Sequence, residues 1–304
     1  MISKYSDRVN MMSFYRIIAS FKTKLMKKHV LLLLIMLLAT TSFSSNSKKE
    51  IGLQLWSVRS DMADDPVATI QQVGEIGYDF VEAAGYSDGK FYGMKPIEFK
   101  KVLNENGLEF LSSHTGQDLP DDENWEQTMQ WWETCIDAHA KAGVKYIVQP
   151  SMDERGYGSL KDLKHYCDYF NTVGEMCAQK GIKFGYHNHD KEFETVDGVT
   201  RFDYMLQNTD PDNVFFQLDL YWITVGGKDP VDYFEEYPER FTLWHVKDEK
   251  ELGESGMMDF EPIFAKAEKS GMKHIIVEVE RYSYEPLVSV EKSYNFLMEA
   301  EYVK

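Results

Sequence analysis

From Ile51 onward the chain alternates short apolar runs with longer amphipathic segments, and this rhythm limits the fold more than any other feature. The β-like runs span residues 51–56, 79–85, 109–116, 145–151, 183–189, 214–220, 241–248 and 274–280. Between them lie helical patterns with apolar residues three and four apart, as in Val67 to Ile76, Trp125 to Ala142 and Leu160 to Lys180. Gly77, Gly107, Gly143, Gly181 and Gly271 stand just before the next β run, where a helix is commonly stopped. Strand–helix alternation of this kind means right-handed crossovers and a parallel sheet. Eight units in about 250 residues predict an α/β fold of the closed (β/α)8 TIM-barrel type. An open doubly wound sheet is the rival. It usually carries a glycine-rich phosphate loop after its first strand, and none follows Trp56.

The N-terminal segment is different. Met26-Lys27-Lys28 is followed by the apolar run Leu31 to Ala39 and then by a Ser/Thr-rich stretch, the three parts of an export signal. The expected organisation is residues 1–48 as an N-terminal extension and signal peptide starting at Met26, then residues 49–304 as one catalytic barrel. The apolar run is too short to span a bilayer, so the expected location is periplasmic or secreted with no stable membrane anchor. Residues 1–47 carry +6 of the chain's net −17, which leaves −23 on residues 48–304. Such a surface repels nucleic acid and anionic membrane. The charge does not decide the substrate, because a local pocket can oppose the global sign, and homo-oligomerisation is open. Cys135, Cys167 and Cys177 are odd in number and fall in helical segments, so they are expected to be buried thiols rather than a disulfide framework.

The chemistry gathers at the C-terminal ends of the β runs, where a barrel keeps its site. The fifth run ends in His187 and His189, which would share one strand face, and the sixth in Asp219. The seventh presents His245, Lys247 and Asp248, and the eighth Glu278 and Glu280. Alternation along each strand places His187, Asp219, His245 and Glu278 on a common inward face. Two imidazoles and two carboxylates suit one divalent metal ion, Mn²⁺ favoured, with Zn²⁺, Co²⁺ or Mg²⁺ open. The alternative for these four is a set of ion pairs in a polar barrel mouth. Gln54 and Trp56, Glu82, Gln149 and Tyr221 add substrate-binding candidates from other strand ends, together with Glu280. The candidate catalytic residues are Glu278, His189, His114 and Lys247, the last either stabilising an enolate or only pairing with Asp248.

The motifs LQLWSVR, SSHTG, YHNHDKEF, QLDLYW, WHVKD and GESGMMDFEPIF, running from Leu53 to Phe264, resemble the sugar phosphate isomerase/epimerase family of xylose isomerase-like barrels. The resemblance implies a divalent metal at the ends of strands five to eight that binds adjacent oxygens of a keto or hydroxy sugar. In such epimerases the fifth-strand ligand is a glutamate that also moves a proton. Here that position is His187, while Glu278 matches the second acid/base glutamate. The expected activity is metal-dependent proton abstraction next to a sugar carbonyl, with isomerisation or epimerisation as outcome. The alternative is a lyase or hydro-lyase acting by β-elimination on a keto-sugar or 3-keto-glycoside. A phosphodiesterase of the endonuclease type fits poorly with the −23 charge, and a non-catalytic sugar-binding protein poorly with so many strand-end ligands.

The leader generates a first prediction: N-terminal sequencing of protein from a periplasmic or secreted fraction finds the run Leu31–Leu38 removed. A cytoplasmic protein with that run intact contradicts export.

Overall fold

Val, Ile, Phe and Tyr dominate the apolar runs, and such stiff or flat side chains suit a pleated surface buried on both faces. The computed structural model describes residues 48–304, so the expected leader lies outside the described residues. Each of the eight runs contains a barrel strand: β1 (Ile51–Gln54), β2 (Phe80–Ala83), β3 (Glu109–His114), β4 (Tyr146–Gln149), β5 (Lys183–His187), β6 (Val214–Asp219), β7 (Leu243–Lys247) and β8 (His274–Glu278). Each pairs in parallel with the next, and β8 pairs with β1 to close the barrel. The strands are shorter than the runs, and most of the surplus residues open the loops at the C-terminal face. After β1, for example, Gln54 caps a 3₁₀ turn at Leu55–Val58 by accepting from the Trp56 amide.

Helices cover the outside where the apolar periodicity places them, including Pro66–Ile76, Trp125–Ala142 and Leu160–Ala178. Gly77 and Gly143 take positive φ at two of the helix ends, a conformation only glycine adopts without strain. Cys135, Cys167 and Cys177 are buried free thiols on these helices, and burial pushes the Cys167 thiol up to about 12. Among the described residues no helix is long and apolar enough to cross a membrane.

Two features are absent from the sequence-based expectation. Tyr86–Ser87 pairs antiparallel with Lys90–Phe91, and Thr195–Val196 with Val199–Thr200. Each small hairpin turns on an Asp-Gly pair in which both residues have positive φ, the geometry that matches strand twist. They extend the loops after β2 and β5.

Inside the barrel, Phe80, Leu111, Tyr146, Val148, Phe215, Leu243 and Ile276 form an apolar plug. Two glycines make room for its rings. A Cβ at Gly52 would lie 2.0 Å from the Phe80 ring, and one at Gly185 2.6 Å from the Phe215 ring. Overpacking a filled core typically costs about 1–3 kcal/mol. Gly52→Ala is therefore expected to lower unfolding stability by about that much in urea titration, and unchanged stability would show that the plug is not tightly packed.

Candidate active site

Local chain geometry aims the key side chains. Asp219 ends β6 and is the N-cap of the short helix Leu220–Val225: its Oδ1 accepts the Tyr221 and Trp222 amides at 2.9 and 2.8 Å. That leaves Oδ2 buried with no hydrogen-bond partner. His187, at the end of β5, turns Nε2 to within 3.9 Å of this atom, and His245 on β7 brings Nδ1 to 4.0 Å. Glu278, the last residue of β8, sets Oε2 3.2 Å from the same His245 nitrogen. The four residues are buried, and one ligand-type atom from each falls within 4.8 Å of all the others. They do not share one register level. Asp219 pairs with His245, but His187 pairs with Gln217 and Glu278 with Lys247. The tilt that closes a barrel turns this stagger into convergence.

Lys247 reaches across the mouth, its Nζ 3.1 Å from Glu278 Oε2 and 2.6 Å from Glu280 Oε2. It does not pair with Asp248, contrary to one sequence-based expectation. Asp248 instead accepts from Glu249 N, Gly253 N and the Ser255 hydroxyl, which folds the loop after β7. Burial disfavours the Lys247 charge, but the carboxylates of Glu278, Asp219 and Glu280 hold its ammonium above the ordinary value. Burial would likewise raise Glu278, yet the Lys247 and His245 charges keep it well below the usual carboxylate range. Burial pushes the Asp219 carboxyl up to about 7, against the pull of Lys247. His245 is lowered by burial but raised overall to about 10 by Glu278 and Glu82. His187 is held well below its ordinary value by burial and by the neighbouring imidazoles.

Other candidates separate into mouth and interior. His189 lies beyond the end of β5 rather than on its face; its ring is 5.0 Å from that of His187 and 5.7 Å from Trp222. Its backbone N–H is held by Glu192, which also accepts from Tyr186 and Tyr157. Trp56 is 44% exposed with the Arg59 guanidinium 5.1 Å from its ring. Tyr221 is nearly buried and packs on Trp222. Of the substrate-binding candidates Glu82, Gln54 and Gln149, all three are buried; the first two are bonded within the barrel, and Gln149 keeps a buried Oε1 without a partner. Gln54 donates to Glu82, and the Gln149 amide donates to Gln117 O and Ser151 O, bracing loops. His114 Nε2 lies 2.6 Å from Gln217 Oε1 and 3.0 Å from Glu82 Oε1, beneath the mouth. Sequence inspection missed Gln217, Ser112 and Asn188 as members of this assembly. Gln217 shares the inward parity of Asp219, and that was the available signal. Asn188, which accepts from the Asp219 amide at 3.0 Å, had none.

A closed parallel barrel with two histidines and two carboxylates at its C-terminal face defines a class of barrel with metal-ligand chemistry at the mouth. The family profile described as xylose isomerase-like TIM barrel matches residues 70–300. The chain belongs to that family. A solved sugar phosphate isomerase/epimerase from Parabacteroides distasonis ATCC 8503 is 35% identical, covering 86% of this chain and 97% of that one, with a TM-score of 0.80. An inosose dehydratase of Geobacillus kaustophilus (strain HTA426) is 24% identical over 251 residues, 70% of this chain and 79% of the relative. An IOLI protein solved with a bound zinc atom shares the fold at 11% identity and a TM-score of 0.62, over 81% of this chain and 95% of that one.

The orphaned Asp219 Oδ2 and the two imidazole nitrogens beside it form a donor set that fits a divalent cation. Below about 7 Asp219 carries a proton, and His245 keeps one to about 10. A cation has to displace both, so binding weakens as pH falls. Calorimetry with Mn²⁺ or Zn²⁺ is expected to show proton release and an affinity that rises by at least about tenfold between about pH 6 and about pH 8. Binding without proton release or pH dependence would place the ion elsewhere.

Proposed function

We propose that the protein is a divalent-metal-dependent carbohydrate enzyme that removes the proton next to a sugar carbonyl, with isomerisation or epimerisation as the outcome. The observation that carries this reading is the convergence of His187, Asp219, His245 and Glu278, with the buried Asp219 Oδ2 left unpartnered and the Lys247 cation alongside. The ion, for which Mn²⁺ is the first choice, would be held by these four residues and would acidify the C–H beside a bound carbonyl. Glu278 Oε2 is engaged by His245 and Lys247, whereas Oε1 has no hydrogen-bond partner among the described residues, so Oε1 is the atom that accepts the proton. The Lys247 ammonium, fixed between Glu278 and Glu280, stands where negative charge on the sugar oxygen is stabilised without rearrangement. His189 at the mouth is the second proton carrier. Trp56, Tyr221 and Trp222 supply flat surface for a sugar face, and Glu280 a hydroxyl acceptor. The relatives named for sugar isomerase/epimerase activity support the substrate class.

A second reading has its own support. His187 stands where a two-base epimerase places a carboxylate, and several curated relatives are inosose dehydratases. With one carboxylate base, loss of a β-hydroxyl after proton removal is a natural outcome, His189 donating the proton to the leaving oxygen. Periplasmic or secreted location, supported by the leader composition, would place either reaction on sugars outside the cytoplasm.

Incubation of keto-sugars and oxidised glycosides in D₂O, followed by NMR, tests the reading. Deuterium at the α carbon with retained hydroxyls indicates epimerisation, and a new unsaturated or dehydrated product indicates elimination. Glu278→Gln is expected to lower exchange by at least about 10²-fold, the usual contribution of a positioned base. Undiminished exchange in that variant removes Glu278 as the base, and exchange that survives complete chelation removes the metal-dependent mechanism.

A further inference from the structure

We propose that Glu82, acting with Gln217, is a positioning residue that fixes opposite ring tautomers on His187 and His245, so that Nε2 of the first and Nδ1 of the second face Asp219 and Glu278. The proposal rests on the metal-centre reading above. A neutral imidazole offers one lone pair, and the nitrogen that offers it is decided by where the other nitrogen's hydrogen goes.

Glu82 sets the polarity of the whole network. Its Oε1 receives Gln54 Nε2 at 2.8 Å, His245 Nε2 at 2.7 Å and His114 Nε2 at 3.0 Å. Its Oε2 receives the Ser112 hydroxyl at 2.5 Å and Gln217 Nε2 at 2.9 Å. A carboxylate facing five donors is an acceptor only. Gln217 must then turn its NH₂ toward Glu82, which directs its Oε1 toward His187 Nδ1 at 3.1 Å and His114 Nε2 at 2.6 Å. A carboxamide oxygen cannot donate, so His187 carries its hydrogen on Nδ1 and keeps the lone pair on Nε2, the atom 3.9 Å from Asp219 Oδ2. His245 is turned the other way. Its Nε2 hydrogen is held against Glu82, so Nδ1, 3.2 Å from Glu278 and 4.0 Å from Asp219, is the nitrogen that gives up its proton when a cation binds.

The network draws on β1, β2, β3, β6 and β7, and Gln54, Glu82, Ser112, Gln217 and His245 are all 0% exposed. Glu82 therefore touches no substrate and acts only through the histidines. Glu82→Gln keeps the volume but replaces one carboxylate oxygen by an NH₂. If its carbonyl still accepts from His245, the new NH₂ meets Gln217 Nε2, donor against donor.

The test measures Mn²⁺ and Zn²⁺ affinity of the full chain against a competing chelator, with ¹⁵N ring shifts of the histidines. Glu82→Gln is expected to weaken binding about 10–100-fold, the usual effect of losing a partner behind a metal-binding histidine. The double variant Glu82→Gln/Gln217→Glu puts an acceptor opposite the new NH₂ and is expected to regain most of the affinity. A role limited to packing predicts losses that add instead. Unchanged affinity and ring shifts in Glu82→Gln, or additive losses in the double variant, overturn the proposal. So does a wild-type His187 whose hydrogen is on Nε2, whatever the metal result. Wild-type protein with the hydrogen on Nδ1 but no metal uptake supports the hydrogen placement and ends the metal-centre reading alone.

Discussion

Low dielectric at the barrel mouth is the constraint on which the rest of the site depends. Glu82, His187, Asp219, His245, Lys247 and Glu278 are all buried there, and an ionised group taken out of water persists only if other charges and hydrogen bonds replace the water. Glu82 meets that demand with five donors, and Glu278 with Lys247 and His245. Asp219 meets it by half. One oxygen caps the helix that follows, while the other has no partner and the carboxyl drifts upward as burial dictates. That buried, unpartnered oxygen is the deficit that the proposed cation would fill.

The same constraint explains the layering of the barrel. The plug around Phe80 and Phe215 keeps the interior apolar, and Gly52 and Gly185 allow the rings to fill it. Above it the side chains turn polar, with Gln54, Glu82, Ser112 and Gln217 forming a bonded floor under the histidines. The loops complete the mouth. Asp248 folds the loop after β7, Glu192 holds the backbone of His189, and Gln149 braces the loop after β3. Each of these polar side chains holds a neighbouring loop, and Gln149 keeps one buried oxygen without a partner. Sequence inspection sees a strand-end carboxylate or carboxamide and does not see which way it is committed.

Much of the architecture was legible because it is periodic. Eight β runs, separated by amphipathic helices with glycine stops, correspond to eight strands in a closed barrel. Strand alternation was enough to put Asp219, His245 and Glu278 on the inward side, since parity survives small errors in strand ends. It misjudged His189, because β5 stops at His187 and the alternation stops with it. The two small hairpins escaped notice although Asp88-Gly89 and Asp197-Gly198 are turn signals, because the paired segments are only two residues long.

The sequence by itself determined the repeating unit, the burial of the thiols and the clustering of acids and histidines at strand ends. These are properties of local spacing and side-chain type. Only the tertiary structure decided which of those groups meet. Barrel shear brought Glu278, level with Lys247 in register, down onto His245, and closure brought Glu82 from β2 across the interior to the same ring. Such contacts join residues 33 and 163 positions apart in the chain. No local pattern encodes them, because they follow from how the tilted strands close around a shared, desolvated space.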